Sequence, residues 1–394
     1  MNKYLLKASS SPISELIRLK NEMLALGNNI IDLSVGEFYK RPNNQIIEYA
    51  VHANNVKEFG YTDPTGIHKL KNQISRKIED SYKFDKVDTS EISITSGAKH
   101  AIAVTLNSII ETQGDSVICF SPFWPSYVDI IKISGALPVC LDSDYLLDVN
   151  FEQFTKTISS NTKAIIFNSP RNPDGYVYTS NFFANLNNLH KMFPNIYLIF
   201  DDVYRLISWD PFYEPWDMCE LPQVDKRKII IINSFSKSCS MTGLRVGYVY
   251  ANSYISSLIK IQLSNSISNV PTLSQHAATY AQENEFKLVK NLNNDLSKAS
   301  KILFNILTNM NEIKTNFVTS GFFYFVCFDY YISKLGLKDD VELSRHLLQE
   351  YNLISVPGTL CGAPGYLRLS IGADPKDISS SKNVFEKLSL SITK

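Results

Sequence analysis

The chain has 394 residues, in which 39 Lys and Arg residues balance 39 Asp and Glu residues. A neutral chain lacks the excess of basic residues expected of a protein that binds nucleic acid or an anionic membrane surface. With 44% hydrophobic and 20% charged residues, the composition is that of a globular protein and disfavours disorder. The length exceeds the ~250–300 residues at which a single core stops growing, so we expect a large and a small domain.

No segment of the sequence indicates secretion, membrane insertion or a metal site. The aliphatic runs, such as Ile229–Ile232, are far shorter than the ~20 apolar residues of a spanning helix. Lys7 interrupts the apolar stretch near the N-terminus, so no signal peptide is predicted. The six cysteines form no CxxC pair and the six histidines form no HExxH motif. We therefore expect a cytoplasmic protein with free thiols and no bound metal.

The middle of the chain alternates between short β-branched runs and longer segments with helical spacing. The predicted helices between the runs include Lys99–Ile110, Ser126–Ile133 and Asn181–Met192. Apolar strands that alternate with helices indicate βαβ units on a mostly parallel sheet, which helices cover on both faces. The predicted strands are Ile92–Thr95, Ser116–Phe120, Lys163–Phe167, Ile196–Phe200, Lys228–Ile232 and Val246–Tyr250.

The pattern becomes α+β after about residue 285. A long amphipathic helix is predicted over Phe286–Met310, followed by a strand at Phe322–Phe328 whose aromatic residues we assign to the core. A helix, a strand and a final helix follow at Val341–Tyr351, Tyr366–Ile371 and Lys376–Leu390. We therefore predict three parts: an N-terminal segment (1–40) that packs with the small domain, a large domain (41–285), and a small C-terminal domain (286–394).

Candidate site residues follow two neighbouring predicted strands directly. Ligands of an open α/β sheet bind outside the carboxyl ends of its strands. After the strand that ends at Phe167 comes a turn with two prolines and one glycine, in which the Asn172 amide is a candidate donor. After the next strand comes Asp201, with Tyr204 three residues further on. A carboxylate and a hydroxyl at this edge suit a ring nitrogen and a ring oxygen.

Two further segments supply an amine and a phosphate site. Lys237 lies just past the strand that ends at Ile232, with Ser234 before it and Arg245 eight residues later. Ser96–Lys99 follows the first predicted strand and opens a helix, and a turn of small residues there presents free N–H groups to a phosphate. Together the segments describe a ligand with a phosphate, a basic ring nitrogen, a phenolic oxygen and an aldehyde, which is pyridoxal phosphate.

The chain resembles the class I/II aminotransferases, which are pyridoxal-phosphate enzymes of fold type I, and within them the prokaryotic aspartate-aminotransferase-like subgroup. The resemblance extends over about Ile31–Ile371. It implies a large domain with a mostly parallel mixed sheet between helices, a smaller α+β domain, and a homodimer with active sites at the subunit interface. The motifs that carry it lie at Tyr61–Gly66, Thr95–Lys99, Ser121–Tyr127, Asn168–Gly175, Asp201–Tyr204, Ser234–Lys237, Gly243–Gly247, Val356–Gly358 and Arg368–Ser370.

The resemblance implies three catalytic residues: Lys237, Asp201 and Tyr204. Lys237 would form the Schiff base with the cofactor and then carry the proton between the substrate and the cofactor. Asp201 would pair with the ring nitrogen and keep it protonated. Asn172 and Tyr204 would donate hydrogen bonds to the ring oxygen.

The resemblance also implies the residues that hold the rest of the cofactor. Trp124 would stack on the ring face, and Tyr61 would reach the phosphate in the neighbouring subunit's site, which makes the dimer the active unit. Arg245 would hold the phosphate as a bidentate fork. The other predicted phosphate ligands are Ser96, Gly97, Ala98 and Ser234.

For the substrate, the resemblance implies a clamp for the α-carboxylate. Arg368 would bind this carboxylate, Gly36 would approach it through its backbone, and Asn172 and Trp124 would complete the pocket. Lys99 stands where relatives often carry Gln and in some members binds a side-chain carboxylate, so it either selects acidic substrates or only adds positive potential.

Several positions depart from the family pattern. Asp174 replaces the usual Thr, a change expected to matter little if the side chain faces solvent, and Asp202 replaces a common Glu at a position that usually looks away from the ring. Glu37–Tyr39 replaces Glu-Pro-Asp, so the N-terminal strand that gates the substrate is expected to differ. The stretch at Ser264–Asn269 lacks the arginine that other dicarboxylate enzymes supply across the subunit interface. Glu15 would suit an amine or guanidinium on the substrate.

Three functions remain open from the sequence. The first is an aminotransferase that moves an α-amino group to a 2-oxo acid, with 2-oxoglutarate as the expected acceptor, by a ping-pong mechanism. The second is a lyase, or another carbanion chemistry on the same scaffold, because the cofactor supplies the electron sink in every case. The third is a ligand-sensing regulator, although the residues before the first motif are too few and too neutral for a DNA-binding domain.

Overall fold

The computed structural model describes residues 13–53, 60–142 and 151–392. The strands, in chain order, are β1 (Ile31–Asp32), β2 (Ile92–Thr95), β3 (Ser116–Ser121), β4 (Leu137–Asp142), β5 (Thr162–Asn168), β6 (Tyr197–Asp201), β7 (Ile229–Ser234), β8 (Gly247–Tyr250), β9 (Phe323–Cys327), β10 (Leu353–Ile354), β11 (Val356–Pro357) and β12 (Tyr366–Ser370). The helices are α1 (Ile13–Ala25), α2 (Asn44–Ala53), α3 (His68–Tyr82), α4 (Ala98–Ile109), α5 (Ser126–Ile133), α6 (Phe151–Thr157), α7 (Ser180–Met192), α8 (Phe235–Ser238), α9 (Ser253–Ser266), α10 (Thr272–Thr308), α11 (Asp329–Lys334), α12 (Asp340–Tyr351) and α13 (Pro375–Ser391).

A seven-stranded sheet in the order β2-β8-β7-β6-β5-β3-β4 forms the centre of the large part of the chain. Strand β8 runs antiparallel to both of its neighbours, and the other pairs in the sheet are parallel. The prediction of a mostly parallel mixed sheet is therefore confirmed. All residues of β3 and β7 are buried, because strands covered on both faces contain continuous apolar runs.

Helices cover the two faces of this sheet and create two cores. On one face, Ile74 of α3 and Leu186 of α7 belong to a core that includes the sheet residue Phe200. On the other face, Ile102 of α4 and Ile259 of α9 pack in a separate core with sheet residues such as Ile199. Neighbouring residues of β6 thus point to opposite faces, as the two-residue period of a strand requires.

A third core lies in the C-terminal part, around the antiparallel sheet β11-β12-β9. Leu33 and Phe38 belong to this core, and β1 pairs in parallel with β10, so the described part of the N-terminal segment contacts the C-terminal part. Residues 1–12 of that predicted segment lie outside the described residues. The division at residue 285 remains a prediction, and this position lies within α10, which contacts α2 and α3 as well as α13.

Two elements differ from the sequence-based expectation. Strand β4 was not predicted, because it is an edge strand with a proline and an alternating exposure pattern instead of a continuous apolar run. Helix α10 begins at Thr272, whereas the predicted helix began at Phe286. The first half of α10 was missed because its many polar residues obscure the helical spacing of its apolar residues. Within the described residues, no helix is long and apolar enough to cross a membrane.

Candidate active site

A cavity of about 450 Å³ opens at the carboxyl ends of the central strands, between the large sheet and the C-terminal part. It brings together residues from β5, β6 and β7, from the loop after β1, and from β12. Eleven of the fourteen predicted site residues line it: Gly36, Ala98, Lys99, Trp124, Asn172, Asp201, Tyr204, Ser234, Lys237, Arg245 and Arg368. Ser96 and Gly97 directly precede the lining residue Ala98 in the sequence, and Tyr61 does not line the cavity.

Lys237 projects from the short helix α8, which follows β7 directly. Its ammonium donates a hydrogen bond to the backbone carbonyl of Gly36 and lies 5.5 Å from the centre of the Phe322 ring. Removal from bulk water, together with the nearby positive charge of Arg368, lowers the pKa of Lys237 to about 8. An amine with such a pKa has a substantial neutral fraction near neutral pH, and the neutral form is the nucleophile.

Asp201 is the last residue of β6 and is buried. Its Oδ2 accepts a hydrogen bond of 2.5 Å from the Tyr127 hydroxyl, whereas its Oδ1 has no hydrogen-bond partner. Burial, and then the adjacent charge of Asp202, raise the pKa of Asp201 to about 7, against the lowering effects of the Tyr127 hydroxyl, the Val203 backbone N–H and the charge of Lys237. A buried carboxylate oxygen without a partner can accept a hydrogen bond from a positively charged N–H group.

Asn172 connects the large sheet to an arginine from β12. Its Nδ2 donates to the Tyr204 hydroxyl at 3.4 Å, and its Oδ1 accepts from Nη1 of Arg368 at 3.2 Å. Arg368 also donates to the backbone carbonyl of Ser34 at 3.0 Å, lies 4.2 Å from the Phe323 ring centre, and has no partner for its Nε. Burial lowers the pKa of Arg368, and a buried guanidinium with a free N–H is suited to a carboxylate.

The turn between β2 and α4 forms a cradle of small residues beside Arg245. Gly97 has φ +81°, a backbone conformation that favours glycine, and a Cβ atom there would lie 2.7 Å from Nη2 of Arg245. Arg245 donates to the backbone carbonyls of Ser96 and Thr242 at 3.2 and 2.8 Å. Because α4 starts at Ala98, its free N–H groups and the guanidinium face the same space and fit a phosphate.

Trp124 and Lys99 form one wall of the cavity. The Trp124 ring packs edge-on against Tyr127 at 5.3 Å, and Nζ of Lys99 lies 4.9 Å from the Trp124 ring centre. Partial desolvation and the charge of Arg245 lower the pKa of Lys99. Among the ion pairs of the described residues, none involves Lys99, so its charge is available to an anion.

Asp174 and Glu15 each pair with an arginine. Asp174 forms an ion pair with the buried Arg171, with Nε–Oδ1 at 2.9 Å, so its carboxylate is not simply solvated. Glu15 does not line the cavity and pairs with Arg345 at 3.2 Å.

Tyr61 and Asp202 do not line the cavity. Tyr61 is 91% exposed. Asp202 points away from the cavity, accepts a hydrogen bond from the Trp216 indole at 3.0 Å and lies 3.6 Å from Arg205.

The sequence reasoning gave no specific role to two residues that organise the site. Asn168, at the end of β5, donates to the Asp201 backbone carbonyl at 2.7 Å and accepts from the Asn172 N–H at 2.8 Å, which fixes the turn to β6. Its position directly after the apolar run was the available signal. Tyr127 ends the Ser121–Tyr127 motif and was given no role, and its bond to Asp201 joins residues 74 positions apart, which no local pattern predicts.

Within the described residues, no group of three or more His, Cys, Asp or Glu side chains could hold a metal ion. The polar groups that line the cavity include lysine amines, two guanidinium groups, amides, phenols and the buried carboxylate of Asp201 with one free oxygen. This set fits pyridoxal phosphate, whose phosphate, ring nitrogen and ring oxygen each find a matching group.

The family model for aminotransferase class I and II matches residues 28–380 of this chain. The chain therefore belongs to the class I and II aminotransferases, and it is a transferase enzyme with the type I fold of that family. An aspartate aminotransferase from Thermotoga maritima is 31% identical to it, over 96% of this chain and 97% of the relative. A second aspartate aminotransferase, from Bacillus sp. strain YM-2, is 30% identical over 89% and 88% of the two chains.

Solved structures agree with this assignment. The crystal structure of the Thermotoga maritima aspartate aminotransferase has a TM-score of 0.86 and 28% identity, and the match covers 98% of this chain and 99% of that one. A protein from Methanococcus jannaschii, described as similar in its active site to kynurenine aminotransferases, has a TM-score of 0.85 and 27% identity over 98% and 99% of the two chains. Both solved structures share the fold of this chain.

Proposed function

We propose that the chain is a pyridoxal-phosphate-dependent aminotransferase that moves the α-amino group of an amino acid to a 2-oxo acid, with 2-oxoglutarate as the acceptor. The observation that carries the proposal is that Nζ of Lys237 and the unpaired Oδ1 of Asp201 belong to residues that line the same cavity. An activated amine and a free buried carboxylate in one cavity are the two groups that pyridoxal phosphate requires.

The remaining cavity residues would hold the cofactor at its other polar groups. Arg245, the Ser234 hydroxyl and the N–H groups at the start of α4 would bind the phosphate. The Asn172 amide and the Tyr204 hydroxyl, which are neighbours at 3.4 Å, would bind the ring oxygen. Trp124 would lie against the ring.

When bound, pyridoxal phosphate supplies an aldehyde that condenses with amino groups and a protonated ring that accepts the electron pair left by the departing Cα proton. Lys237 would take up that proton and return it at the new position, since its pKa of about 8 lets the amine both accept and donate near neutral pH. Asp201 would keep the ring nitrogen protonated, because a paired N–H⁺ is favoured beside a buried carboxylate. Arg368 would fix the substrate carboxylate and hold Cα near Lys237.

An acidic substrate is the class that the charges favour. Arg368 is available for the α-carboxylate, and Lys99, which has no described ion partner, would bind a second carboxylate at the cavity wall. The curated relatives are aspartate aminotransferases, which agrees with a dicarboxylic donor. Because donor and acceptor would need the same Arg368, they would enter in turn, which is a ping-pong order.

A homodimer is part of the proposal. Tyr61 is exposed and lies outside the cavity of its own chain, so its phenol would complete the phosphate site of a second copy. The variant Tyr61→Phe should then raise the Kd for pyridoxal phosphate by about tenfold, the value of one charge-assisted hydrogen bond. Tyr254→Phe, at an exposed tyrosine remote from the cavity, is the control. An equal Kd in both variants, or a monomer in solution, would contradict the shared site.

The reaction type is tested by a half-reaction. The holoenzyme is mixed with aspartate alone, and the released 2-oxo acid is counted per active site. An aminotransferase releases one equivalent and stops until 2-oxoglutarate is added, and its double-reciprocal plots at several acceptor concentrations are parallel. In a parallel assay with cysteine in place of aspartate, continuous release of pyruvate, ammonia and sulfide without an acceptor would instead identify a lyase. A panel of other donors and acceptors then ranks the substrates.

A further inference from the structure

Two cysteines stand opposite each other on neighbouring strands at one edge of the large sheet. Cys119 of β3 is the register partner of Cys140 of β4, and their sulfur atoms are 3.6 Å apart. Neighbouring strands lie ~4.8 Å apart and opposed residues of a parallel pair point to the same face. This backbone separation lies within the ~4.4–6.8 Å between Cα atoms that a disulfide can bridge.

The two thiols differ in their access to solvent. Cys119 is 1% exposed and belongs to the core under α5, whereas Cys140 is exposed on the edge strand. Only Cys140 can therefore meet a dissolved reagent, and Cys119 can react only with Cys140. This division corresponds to an attacking thiol and a resolving thiol.

The surroundings of Cys140 favour its reactive form. The hydrogen bond with the Cys119 sulfur and the positive charge of Lys132 on α5 lower the pKa of Cys140, although partial burial opposes this. The thiolate is the nucleophilic form of cysteine. By contrast the exposed Cys219 lies beside Asp217, whose hydrogen bond and negative charge raise the pKa of Cys219.

We propose that Cys119 and Cys140 form a two-thiol oxidation site that reacts with hydroperoxides. The Cys140 thiolate attacks the hydroperoxide, the O–O bond breaks, and Cys140 becomes a sulfenic acid while the alkoxide or hydroxide takes up a proton. The Cys119 sulfur then attacks the Cys140 sulfur, an S–S bond forms, and water leaves with the Cys119 proton. In total two thiols lose two electrons and two protons, and the hydroperoxide is reduced to an alcohol or water plus one water.

The proposal does not depend on the cofactor or on the amino-transfer reaction, and its test uses neither. Trypsin cuts after Lys132 and leaves Cys119 and Cys140 in separate peptides, residues 100–132 and 133–156. The purified full-length protein is treated with limiting hydrogen peroxide, free thiols are blocked with N-ethylmaleimide, and the peptides are analysed by mass spectrometry with and without dithiothreitol.

The expected product is the 100–132 peptide joined to the 133–156 peptide, which dithiothreitol separates again. The variant Cys119→Ala should accumulate a sulfenic acid at Cys140 that dimedone captures, and Cys140→Ser should leave Cys119 unoxidised. Cys140 should react faster than the control Cys219, because a larger fraction of Cys140 is the nucleophilic thiolate. Oxidation of Cys140 without the joined peptide, or equal rates at Cys140 and Cys219, overturns the proposal.

Discussion

The Tyr127 hydroxyl donates a 2.5 Å hydrogen bond to one oxygen of Asp201 and leaves the other oxygen, Oδ1, without a partner. Both side chains are buried, so neither oxygen is fully solvated. The bond fixes the carboxylate plane and thereby decides which oxygen is presented to a ligand in the cavity. Tyr127 is therefore a positioning residue for Asp201, although its own hydroxyl has no predicted contact with cofactor or substrate.

The variant Tyr127→Phe should lower kcat/KM about 10- to 100-fold, because a hydrogen bond to a charged group contributes ~1.5–3 kcal/mol. Since Tyr127 lowers the pKa of Asp201, its removal should also move the acidic limb of the pH profile to higher pH. Tyr331→Phe is the matched control: Tyr331 is buried and its hydroxyl contacts Ser389 at 2.9 Å, outside the cavity. Equal losses in both variants, with no shift of the pH profile, would contradict the positioning role.

The buried carboxylate of Asp201 should make the cofactor-free protein less stable at high pH. Its folded pKa of about 7 lies above the ~3.9 of an unfolded aspartate, so the folded state binds more protons between about pH 4 and 7. Stability then falls as pH rises through this window, by at most ~4 kcal/mol from this group.

The variant Asp201→Asn removes this charge and tests the sign. The difference in unfolding free energy, variant minus wild type, should become more positive from pH 5 to pH 8 in urea titrations of the cofactor-free protein. A new contact or cavity made by the amide changes the unfolding free energy equally at both pH values. The change of the difference with pH therefore reports only the effect of the lost charge. A difference that stays constant or decreases with pH would contradict the burial argument. Activity should be lost in the same variant, because an amide does not hold the ring nitrogen protonated.

Lys237 should capture pyridoxal phosphate with a rate that rises up to about pH 8 and then levels off. The neutral amine is the reacting form, and its pKa is about 8. Borohydride reduction at timed intervals, followed by mass analysis of the peptide that contains Lys237, measures the covalently bound cofactor. Lys237→Ala should show no incorporation at this peptide or elsewhere.

Arg368 contributes to this pKa through its positive charge. The variant Arg368→Met should therefore shift the midpoint of the capture profile to higher pH. If the midpoint measured for the wild-type protein lies near ~10.4, the pKa of an unperturbed lysine, the site does not activate the amine.

The sequence predicted most of the large sheet because its inner strands are buried on both faces. The strand at Ile92–Thr95 and the helix at Ser126–Ile133 have the predicted bounds, since turn residues flank each of them. The edge strand β4 was missed because its residues are partly exposed and include Pro138. A strand that is buried on both faces has a continuous apolar run, which can be recognised in a single sequence. An edge strand lacks this run.

The sequence predicted those candidate site residues that closely follow the end of a strand, such as Asp201 and Lys237. The structure brings these two residues to one cavity, and their roles remain proposals. Contacts between distant segments, such as the bond from Lys237 to the Gly36 carbonyl, leave no local pattern. Asp174 and Arg171 are only three positions apart, but this spacing did not indicate that Arg171 is buried.

Lys99 should determine the preference for a second carboxylate. Its ammonium lies at the cavity wall, 4.9 Å from the Trp124 ring centre. The variant Lys99→Gln should lower kcat/KM for aspartate at least about tenfold, the value of one charge-assisted contact, and should change kcat/KM for alanine less than about twofold. Alanine is the control within the same enzyme because it lacks the second carboxylate. Equal losses for both substrates would assign Lys99 to the phosphate site instead.

The ion pair between Arg171 and Asp174 should be essential for the stability of the turn that carries Asn172. Arg171 is 5% exposed and stacks 5.1 Å from the Tyr176 ring centre, and its Nη1 has no hydrogen-bond partner. The variant Asp174→Asn leaves a buried guanidinium without its counter-charge, so it should lower the free energy of unfolding by about 3 kcal/mol, measured by urea titration. It should also lower kcat, because the displaced turn moves Asn172.

The control for this variant is Glu386→Gln, which removes the exposed ion pair with Lys382 and should cost less than about 1 kcal/mol. The double variant Arg171→Met/Asp174→Asn removes the guanidinium as well, and it should regain part of the lost stability because no buried charge is left unpaired. If Asp174→Asn costs no more than Glu386→Gln, the pair acts as a surface ion pair and contributes little to the turn. If the double variant is less stable than Asp174→Asn alone, Arg171 stabilises the turn by packing on Tyr176 and not through its charge.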